Sequence, residues 1–422
     1  MRLNDNKTTK KIIRFFLPII VVAIILYCLG GSKSNTNAFL QAETLDTFTI
    51  PNDAVPVVYQ GHIYISSVVD SVLGYFVFDT GANGLYFDST FYANNSFREF
   101  KFVKKVLSGA GSGNPQRVIV ITDTVSFRFE NYSSKLTSIP VLSLKPILGD
   151  FADGLFGKQY FANNILEINY FHEYIRLHND FNVVDTAEYV KIGMKKERNR
   201  LFVPATIQIN DTISIQDYLM LDIGSGGGIT ITSAIANKYK LSDNVNSKIL
   251  YYTKYGGISG YSSWFDFRAY SVKIGNYKLD NVTMDYSEDK RGALSRDEYA
   301  GLLGNKILER FDVVIDFINN DLYLKPNQNY SKPFNFSMLG FGYVDRNTTM
   351  NAWIVTGLHK GSNAEVAGLK IDDKIISING TDIREIPFTE QSNFFKGIEK
   401  ISLVVLRNGE EKRIEFDLEY VL

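Results

Sequence analysis

The chain has 422 residues, enough for about three domains, and its 45% hydrophobic and 22% charged residues are typical of folded globular proteins. This composition excludes a mostly disordered chain and a polytopic membrane protein, and the net charge of −1 predicts no nucleic-acid partner. A single Cys and four scattered His without a His-Glu-x-x-His pair predict no metal site and no other cofactor. Abundant Tyr and Phe favour β structure.

Residues 1–31 have the pattern of an export signal. Five basic residues and one acid precede an uncharged run of seventeen residues, Phe15 to Gly31. A basic flank followed by an apolar run is typical of a signal peptide or a membrane anchor. We therefore predict one N-terminal hydrophobic helix, with everything after Gly31 outside the cytoplasm.

Three fates of this segment remain open. An uncleaved helix would anchor the protein in a membrane, whereas cleavage after Gly30 or Gly31 would secrete it. Lipidation at Cys28 is the third, although Tyr27 is bulky where a lipoprotein site usually has a small residue. Residues 32–47 are small and polar, which predicts a linker.

The middle of the chain, residues 48–328, contains two halves with the same order of signals. Each half has an apolar strand that ends in Asp, a Gly-rich hairpin tip about thirty residues later, and a Gly-Leu-x-Gly element near its end. The Asp residues, Asp79 and Asp222, are 143 positions apart, and the last Gly residues, Gly157 and Gly304, are 147 apart. This agreement indicates an internal duplication.

The boundaries of the two halves follow from these signals. Short strands with Gly turns predict two homologous all-β lobes, each a partly closed barrel, in residues 48–182 and 183–328. The segments that follow Gly157 and Gly304 are predicted to be short helices.

Asp79 and Asp222 are the candidate catalytic residues. An ionised carboxylate at the end of a buried strand loses hydration, and the following Gly permits a tight turn around it. If the lobes pack with pseudo-twofold symmetry, the two carboxylates face each other and share one proton near neutral pH. Such a pair can activate water for attack on an amide carbonyl. The alternative is that each Asp only caps a turn.

The segment Asp79-Thr80-Gly81-Ala82, preceded by Phe76-Val-Phe78, resembles the active-site triplet of aspartic proteases, in particular the retropepsin-like kind. The elements that end at Gly157 and Gly304 are similar to the apolar-apolar-Gly segment that supports the catalytic loop in that family. The resemblance covers residues 48–328 and implies a bilobal aspartic endopeptidase acting on peptide or protein substrates. It implies a catalytic pair, Asp79 and Asp222, and supporting loop residues Thr80, Gly81, Ala82, Gly224, Ser225, Gly157 and Gly304.

The second half departs from the family at Ile223, where a Thr or Ser is expected. In the family, paired hydroxyls hydrogen-bond across the lobes, so Thr80 would lack a hydroxyl partner. A catalytically degenerate peptide-binding or scaffold protein is therefore the alternative function. Because Ser225 can donate a hydrogen bond where Ala82 cannot, we expect Asp79 to have the higher pKa and Asp222 to be the base.

The two Gly-rich tips resemble the flaps that cover substrate in aspartic proteases. They include Gly109 and Gly111 in the first half and Tyr255, Gly256 and Gly257 in the second. The resemblance implies a lid over the substrate, with Tyr255 in contact with it. The alternative is that both are ordinary hairpin tips.

The last part of the chain, residues 335–422, resembles a bacterial PDZ domain, which is an α+β module. Its most specific segment runs from Gly361 to Gly380 and predicts a short helix at residues 364–367, a strand at residues 374–378 and a turn at Asn379-Gly380.

The PDZ resemblance also implies a binding site. The loop Gly340-Phe341-Gly342 would bind the C-terminal carboxylate of a peptide, which adds as a β-strand beside a helix at residues 389–396. The alternative is a domain that only packs on the lobes. The complete prediction is an exported peptidase with its catalytic part in the periplasm or at the cell surface.

Overall fold

The computed structural model describes residues 48–107, 111 and 114–422. The predicted N-terminal helix in residues 1–31 and the linker in residues 32–47 lie outside these residues. Within the described part of the chain, no helix is long and apolar enough to cross a membrane. Residues 50–422 form a single unit in which most of the secondary structure is β.

We use "lobe 1" for residues 48–182. Its helices are α1 (Ser89–Asn94) and α2 (Lys145–Leu148), with 3₁₀ turns at Lys158–Phe161 and Phe181–Val183. Its strands are β1 (Val55–Pro56), β2 (Val58–Tyr59), β3 (Ile63–Val69), β4 (Val72–Asp79), β5 (Leu85–Asp88), β6 (Phe102–Leu107), β7 (Gln116–Ile121), β8 (Val125–Phe129), β9 (Tyr132–Leu136), β10 (Ile139–Leu142), β11 (Gly154–Gly157), β12 (Ile165–Asn169) and β13 (Tyr174–His178).

We use "lobe 2" for residues 183–328. Its helices are α3 (Ser233–Lys238), α4 (Leu241–Asn244) and α5 (Asn305–Leu308), with a 3₁₀ turn at Ala293–Ser295. Its strands are β14 (Val190–Gly193), β15 (Lys195–Glu197), β16 (Arg200–Gln208), β17 (Ser214–Leu221), β18 (Ile229–Ile231), β19 (Lys248–Thr253), β20 (Ser262–Ile274), β21 (Tyr277–Ser287), β22 (Gly301–Leu303), β23 (Phe311–Asp316) and β24 (Asp321–Pro326).

We use "C-terminal module" for residues 335–422. Its helices are α6 (Asn347–Met350), α7 (Asn363–Val366) and α8 (Gln391–Phe394), with 3₁₀ turns at Ile383–Glu385 and Phe388–Glu390. Its strands are β25 (Phe341–Arg346), β26 (Ala352–His359), β27 (Lys374–Ile378), β28 (Thr381–Asp382), β29 (Lys400–Arg407) and β30 (Glu410–Asp417).

The two lobes share one pattern of strand pairing. β4 runs parallel to β11 in lobe 1, as β17 does to β22 in lobe 2. β11 then pairs antiparallel with β5, and β22 with β18. β5 is parallel to β10, as β18 is to β21. The ends of β4 and β17 therefore occupy equivalent positions in the two lobes.

A central sheet joins the lobes. Its strand order is β1-β13-β12-β23-β24-β14, so the lobe 1 hairpin β12–β13 lies beside the lobe 2 hairpin β23–β24. β12 and β23 pair antiparallel, with Glu167 opposite Val314. One apolar cluster spans both lobes and includes the fully buried Phe78 and Phe311. Burial of each such side chain contributes about 2–3 kcal/mol, which stabilises the lobes against each other.

The C-terminal module has its own apolar core, which includes Trp353 and Phe341. The predicted strand is confirmed as β27, and Asn379 and Gly380 turn the chain with φ of 49° and 82°. The predicted helix at residues 389–396 is shorter than expected, because a 3₁₀ turn precedes α8 and Gly397 follows with a φ of 75°. β26 also pairs with β19, so lobe 2 and the module share a sheet.

Candidate active site

Asp79 and Asp222 stand at the C-terminal ends of the equivalent strands β4 and β17. Asp79 is the last residue of β4, and Asp222 directly follows β17. Behind each loop lies a glycine: a Cβ on Gly157 would lie 2.5 Å from the carbonyl carbon of Ala82. The same approach occurs in lobe 2, where a Cβ on Gly304 would lie 2.9 Å from the Ser225 carbonyl oxygen. Only glycine allows the supporting strand to pack this closely on the loop.

The two loops bring their carboxyl groups together. A Cβ on Gly81 would lie 3.1 Å from Asp222 Oδ1, and a Cβ on Gly224 would overlap the carboxyl group of Asp79. The approach is therefore reciprocal, with the Gly of each loop packed on the Asp of the other. The two carboxyl groups therefore lie close together, and the titration of each is coupled to that of the other; we call this pair the dyad.

Burial raises the pKa of both carboxyl groups of the dyad, but not equally. Asp79 Oδ1 accepts backbone hydrogen bonds from Gly81 N–H at 2.7 Å and Ala82 N–H at 3.1 Å, which stabilise its ionised form. Burial and the charge of Asp79 raise the pKa of Asp222 to about 8. The two N–H donors therefore favour Asp79 as the carboxyl group that ionises first and Asp222 as the one that keeps its proton.

This order is the reverse of the one expected from Ala82 and Ser225. The expectation assumed that the Ser225 hydroxyl donates to Asp222. Instead, Ser225 Oγ accepts a hydrogen bond from the Gly227 N–H at 3.3 Å, within its own loop. The backbone donors at residues 81 and 82, rather than a side-chain hydroxyl, set which carboxyl group ionises first.

Thr80 connects the two loops without a hydroxyl partner. Its Oγ1 donates to the Leu221 carbonyl at 2.9 Å and accepts from the Ile223 N–H at 2.9 Å. Both groups flank Asp222 in the chain, so one side chain holds the backbone on either side of it. Ile223 is fully buried in the apolar cluster shared by the lobes. Thr80 therefore lacks a hydroxyl partner, as expected, but its own hydroxyl bonds the backbone of the lobe 2 loop instead.

Two polar residues that the sequence interpretation missed also hold the loops. Lys158 follows Gly157 and donates its Nζ to the Thr80 carbonyl at 2.9 Å. Asn305 follows Gly304 and donates its Nδ2 to the Ile223 carbonyl at 2.8 Å. Their common position after the matched glycines was a signal in the sequence that could have identified them.

The second Gly-rich tip is the turn between β19 and β20, and of the first tip, between β6 and β7, the described residue is Gly111. Gly109 lies outside the described residues. Gly111 packs on the backbone of Gly260, and Gln116 donates to the Ile258 carbonyl. Gly256 packs on Ser262, and its N–H donates to the Gly260 carbonyl at 2.8 Å.

Tyr255, the residue that we expected to contact substrate, contacts the C-terminal module. Its hydroxyl donates to Asp372 at 3.2 Å, and the neighbouring Lys254 pairs with the same carboxylate at 2.7 Å. Gly257, two residues after Tyr255, has a φ of 140°, and its carbonyl accepts a hydrogen bond from the Gly260 N–H at 2.9 Å. These contacts fix the second tip to the module.

The predicted carboxylate-binding loop of the C-terminal module is packed closely against its surroundings. Gly340 and Phe341 are buried, and Gly340 turns the chain with a φ of 70°. Gly342 lies against the hydroxyl of Tyr251 from lobe 2, which would overlap a Cβ at this position. The glycine at 342 therefore accommodates an internal contact.

Lobe 1 occupies part of the groove beside β25. The Asp150 N–H donates to the Asp345 carbonyl on the outer edge of β25 at 2.7 Å, and Phe151 stacks on Phe388 with ring centroids 4.2 Å apart. A cavity of about 680 Å³ remains between β25, α8 and the lobes. His62 lines this cavity, and its Nε2 would lie 3.3 Å from a Cβ on Gly226, so its ring touches the loop that follows Asp222.

The comparison with known families concerns this C-terminal module. A family model for the PDZ domain matches residues 334–406. Residues 334–406 are therefore a PDZ domain. β30 lies beyond the matched residues but packs into the same core through Ile414 and Phe416. Among curated proteins, none matches the chain. In the described part of the chain, no cluster of His, Cys, Asp or Glu side chains is arranged to hold a metal ion.

Proposed function

We propose that this protein is an aspartic-type endopeptidase whose dyad activates water for peptide-bond hydrolysis. The observation that carries the proposal is the reciprocal packing of the two loops, in which the Gly of each lies against the Asp of the other and brings Asp79 and Asp222 together. Two carboxyl groups with separated pKa values supply a base and an acid at the same place. The resemblance of Asp79-Thr80-Gly81-Ala82 to the aspartic protease triplet supports the same reaction.

The unequal pKa values assign the roles within the proposed reaction. Ionised Asp79 takes a proton from a water molecule, whose oxygen then bonds to the carbon of the substrate amide. Protonated Asp222 gives its proton to the amide oxygen, so that a neutral gem-diol forms. Collapse of this intermediate breaks the C–N bond, and a proton passes to the departing amine. Thr80, Lys158 and Asn305 hold the loops while charge moves between the two carboxyl groups.

The PDZ domain indicates interaction with peptides or other proteins, and we propose that it contributes to substrate recognition. Its groove lies against lobe 1, and the remaining cavity beside β25 is large enough for a peptide segment. We also propose that residues 1–31 export the chain, so that its substrates are proteins outside the cytoplasm.

The experiment that tests the proposal compares the purified chain with Asp79→Asn and Asp222→Asn on a mixed peptide library. New termini are identified by mass spectrometry from about pH 4 to about pH 9, a range that includes the pKa of Asp222 at about 8. Cleavage that both variants lose supports the dyad. Asp217→Asn is the matched control, because this Asp lies in the same lobe, outside the dyad, and bonds only the Tyr218 N–H next to it.

A catalytically degenerate peptide-binding protein is the second candidate, and Ile223 is the observation that favours it. A folded chain that binds library peptides but cleaves none would establish this alternative. If Asp222→Asn keeps activity while Asp79→Asn loses it, the two-lobe dyad is wrong, and a homodimer that uses Asp79 from each chain becomes the better explanation.

A further inference from the structure

One buried cation distinguishes the two loops of the dyad. Lys158 and Asn305 occupy equivalent positions and make equivalent hydrogen bonds to Thr80 and Ile223. Lys158 is only 5% exposed, and Asn305 is fully buried. Asn305 makes further bonds to the Gly61 carbonyl at 2.8 Å and to the Tyr170 hydroxyl at 2.9 Å. The backbone support is thus shared by both lobes, whereas the positive charge belongs to lobe 1 alone.

The ammonium group of Lys158 interacts electrostatically with charged groups on the two loops and on lobe 2. Asp79 and Asp222 lie on the two loops, and Lys196 and Arg200 lie on the hairpin β15–β16 of lobe 2. Burial and the two bases disfavour its charge, whereas the carboxylate of Asp79 favours it. The resulting pKa of Lys158 is lowered to about 8, so the side chain is charged in acidic and neutral solution.

A fixed positive charge beside the dyad favours ionised carboxylates over neutral ones. We propose that Lys158 is a positioning residue whose charge, held in place by the Thr80 carbonyl, keeps Asp79 ionised under mildly acidic conditions. This inference rests on the proposed peptidase function. It extends that function by assigning the acidic limit of activity to a residue outside the dyad.

The twin position in lobe 2 supplies the decisive variant. Since Asn305 reaches the equivalent carbonyl from the equivalent backbone position, Lys158→Asn retains a donor toward Thr80 but removes the charge. Lys158→Met removes both the donor and the charge, and Lys158→Arg retains both. A thermal melt of the full chain shows which variants stay folded. If only one of Lys158→Asn and Lys158→Met folds, that variant is sufficient for the test.

The measurement is the pH dependence of kcat/KM on a peptide that the chain cleaves. We expect Lys158→Asn and Lys158→Met to move the acidic limb upward by about one pH unit, and Lys158→Arg to leave it in place. Loss of activity with an unchanged acidic limb would mean that Lys158 acts only through its hydrogen bond, which overturns the proposal.

A second measurement separates this inference from the peptidase function. NMR of the full chain with ¹³C-labelled Asp follows the carboxyl carbons of Asp79 and Asp222 as the pH is changed. The signal that is missing from Asp79→Asn or from Asp222→Asn identifies each residue. An upward shift in Lys158→Asn supports the role of Lys158 even if no peptide is cleaved. Titration curves identical to those of the unsubstituted chain overturn it, whatever the activity.

Discussion

Lobe 1 and lobe 2 present their Asp residues on loops with equivalent backbone contacts and different side chains. In lobe 1, Thr80 and Lys158 supply a hydroxyl and a cation, whereas Ile223 and Asn305 supply a methyl-rich surface and a neutral amide in lobe 2. Asp79 receives two backbone donors and ionises first. The comparison shows that two loops with equivalent backbone paths can place their carboxyl groups in different environments, because the donors and charges around each group differ.

The lobes also differ in how they contact the PDZ domain. Lobe 2 extends its sheet into the domain through β19 and β26, so its connection consists of backbone hydrogen bonds. Lobe 1 contacts the groove beside β25 with residues 149–151. The Asp150 N–H bonds the Asp345 carbonyl, the Asp150 carboxylate pairs with Arg346 and accepts from the Thr349 N–H, and Phe151 stacks on Phe388. We expect the lobe 1 contact to open at a lower free-energy cost, because it has few backbone bonds.

Replacement of either member of the dyad is the change with the largest expected effect. If the lobes contribute an acid and a base to one reaction, Asp79→Asn and Asp222→Asn each lower kcat by about 10²–10⁴-fold. The double variant is expected to lose little more than either single variant, because the two groups act as a unit. Losses that multiply would contradict a shared dyad. Steady-state kinetics on one cleaved peptide measures all three rates.

Thr80→Val is expected to have the next largest effect, because it removes the hydroxyl that compensates for Ile223. The Leu221 carbonyl and the Ile223 N–H would lose their partner in a buried place, at a cost of about 1–3 kcal/mol each. Denaturant unfolding measures the change in the free energy of unfolding. Ile223→Val is the control and is expected to cost only about 1 kcal/mol, since it deletes one methylene. Equal costs for the two variants would show that the hydroxyl does not hold the lobes.

Some features of the fold and of the candidate site can be predicted from the sequence. Matched glycines predict the supporting strands, because a Cβ at Gly157 or Gly304 meets loop backbone wherever the loop packs in this way. The pattern at residues 374–380 likewise predicts the strand and turn, since Asn and Gly tolerate positive φ. Such features depend on local backbone conformation, which neighbouring residues in the chain largely determine.

Other features depend on contacts between distant segments, which the sequence pattern does not specify. The hydrogen bonds of Thr80 join backbone groups 141 and 143 residues away. Because nearly every residue has a backbone N–H and a carbonyl, the side chains at those positions do not indicate the bonds. Tyr255 was assigned to the substrate because it adjoins glycines, but its partner Asp372 lies in another domain. The order of the pKa values was wrong because it considered one hydroxyl and omitted backbone donors.

Asp150→Ala tests the weaker of the two contacts with the PDZ domain. Asp150 is a buried partner of Arg346 at 2.8 Å and of the Thr349 N–H at 2.7 Å, so its loss is expected to cost about 1–3 kcal/mol. Hydrogen exchange should then rise in residues 145–151 and along β25, but not along β19 and β26. Asp372→Ala, at the exposed pair with Lys254 on the lobe 2 side, is expected to cost less than about 1 kcal/mol. Equal exchange on both sides would contradict the difference between the lobes.

Ser225→Ala has the smallest expected effect and makes the two loops alike at this position. The raised pKa of Asp222 means that this group keeps its proton up to about pH 8, so activity should fall above that pH as the acid is lost. Because the Ser225 hydroxyl bonds the Gly227 N–H and not the dyad, its removal should move this basic limb by less than about half a pH unit. The pH profile of kcat/KM measures the limb in both proteins. A large upward shift would show that the hydroxyl stabilises ionised Asp222, and the backbone donors to Asp79 would then account for only part of the difference between the lobes.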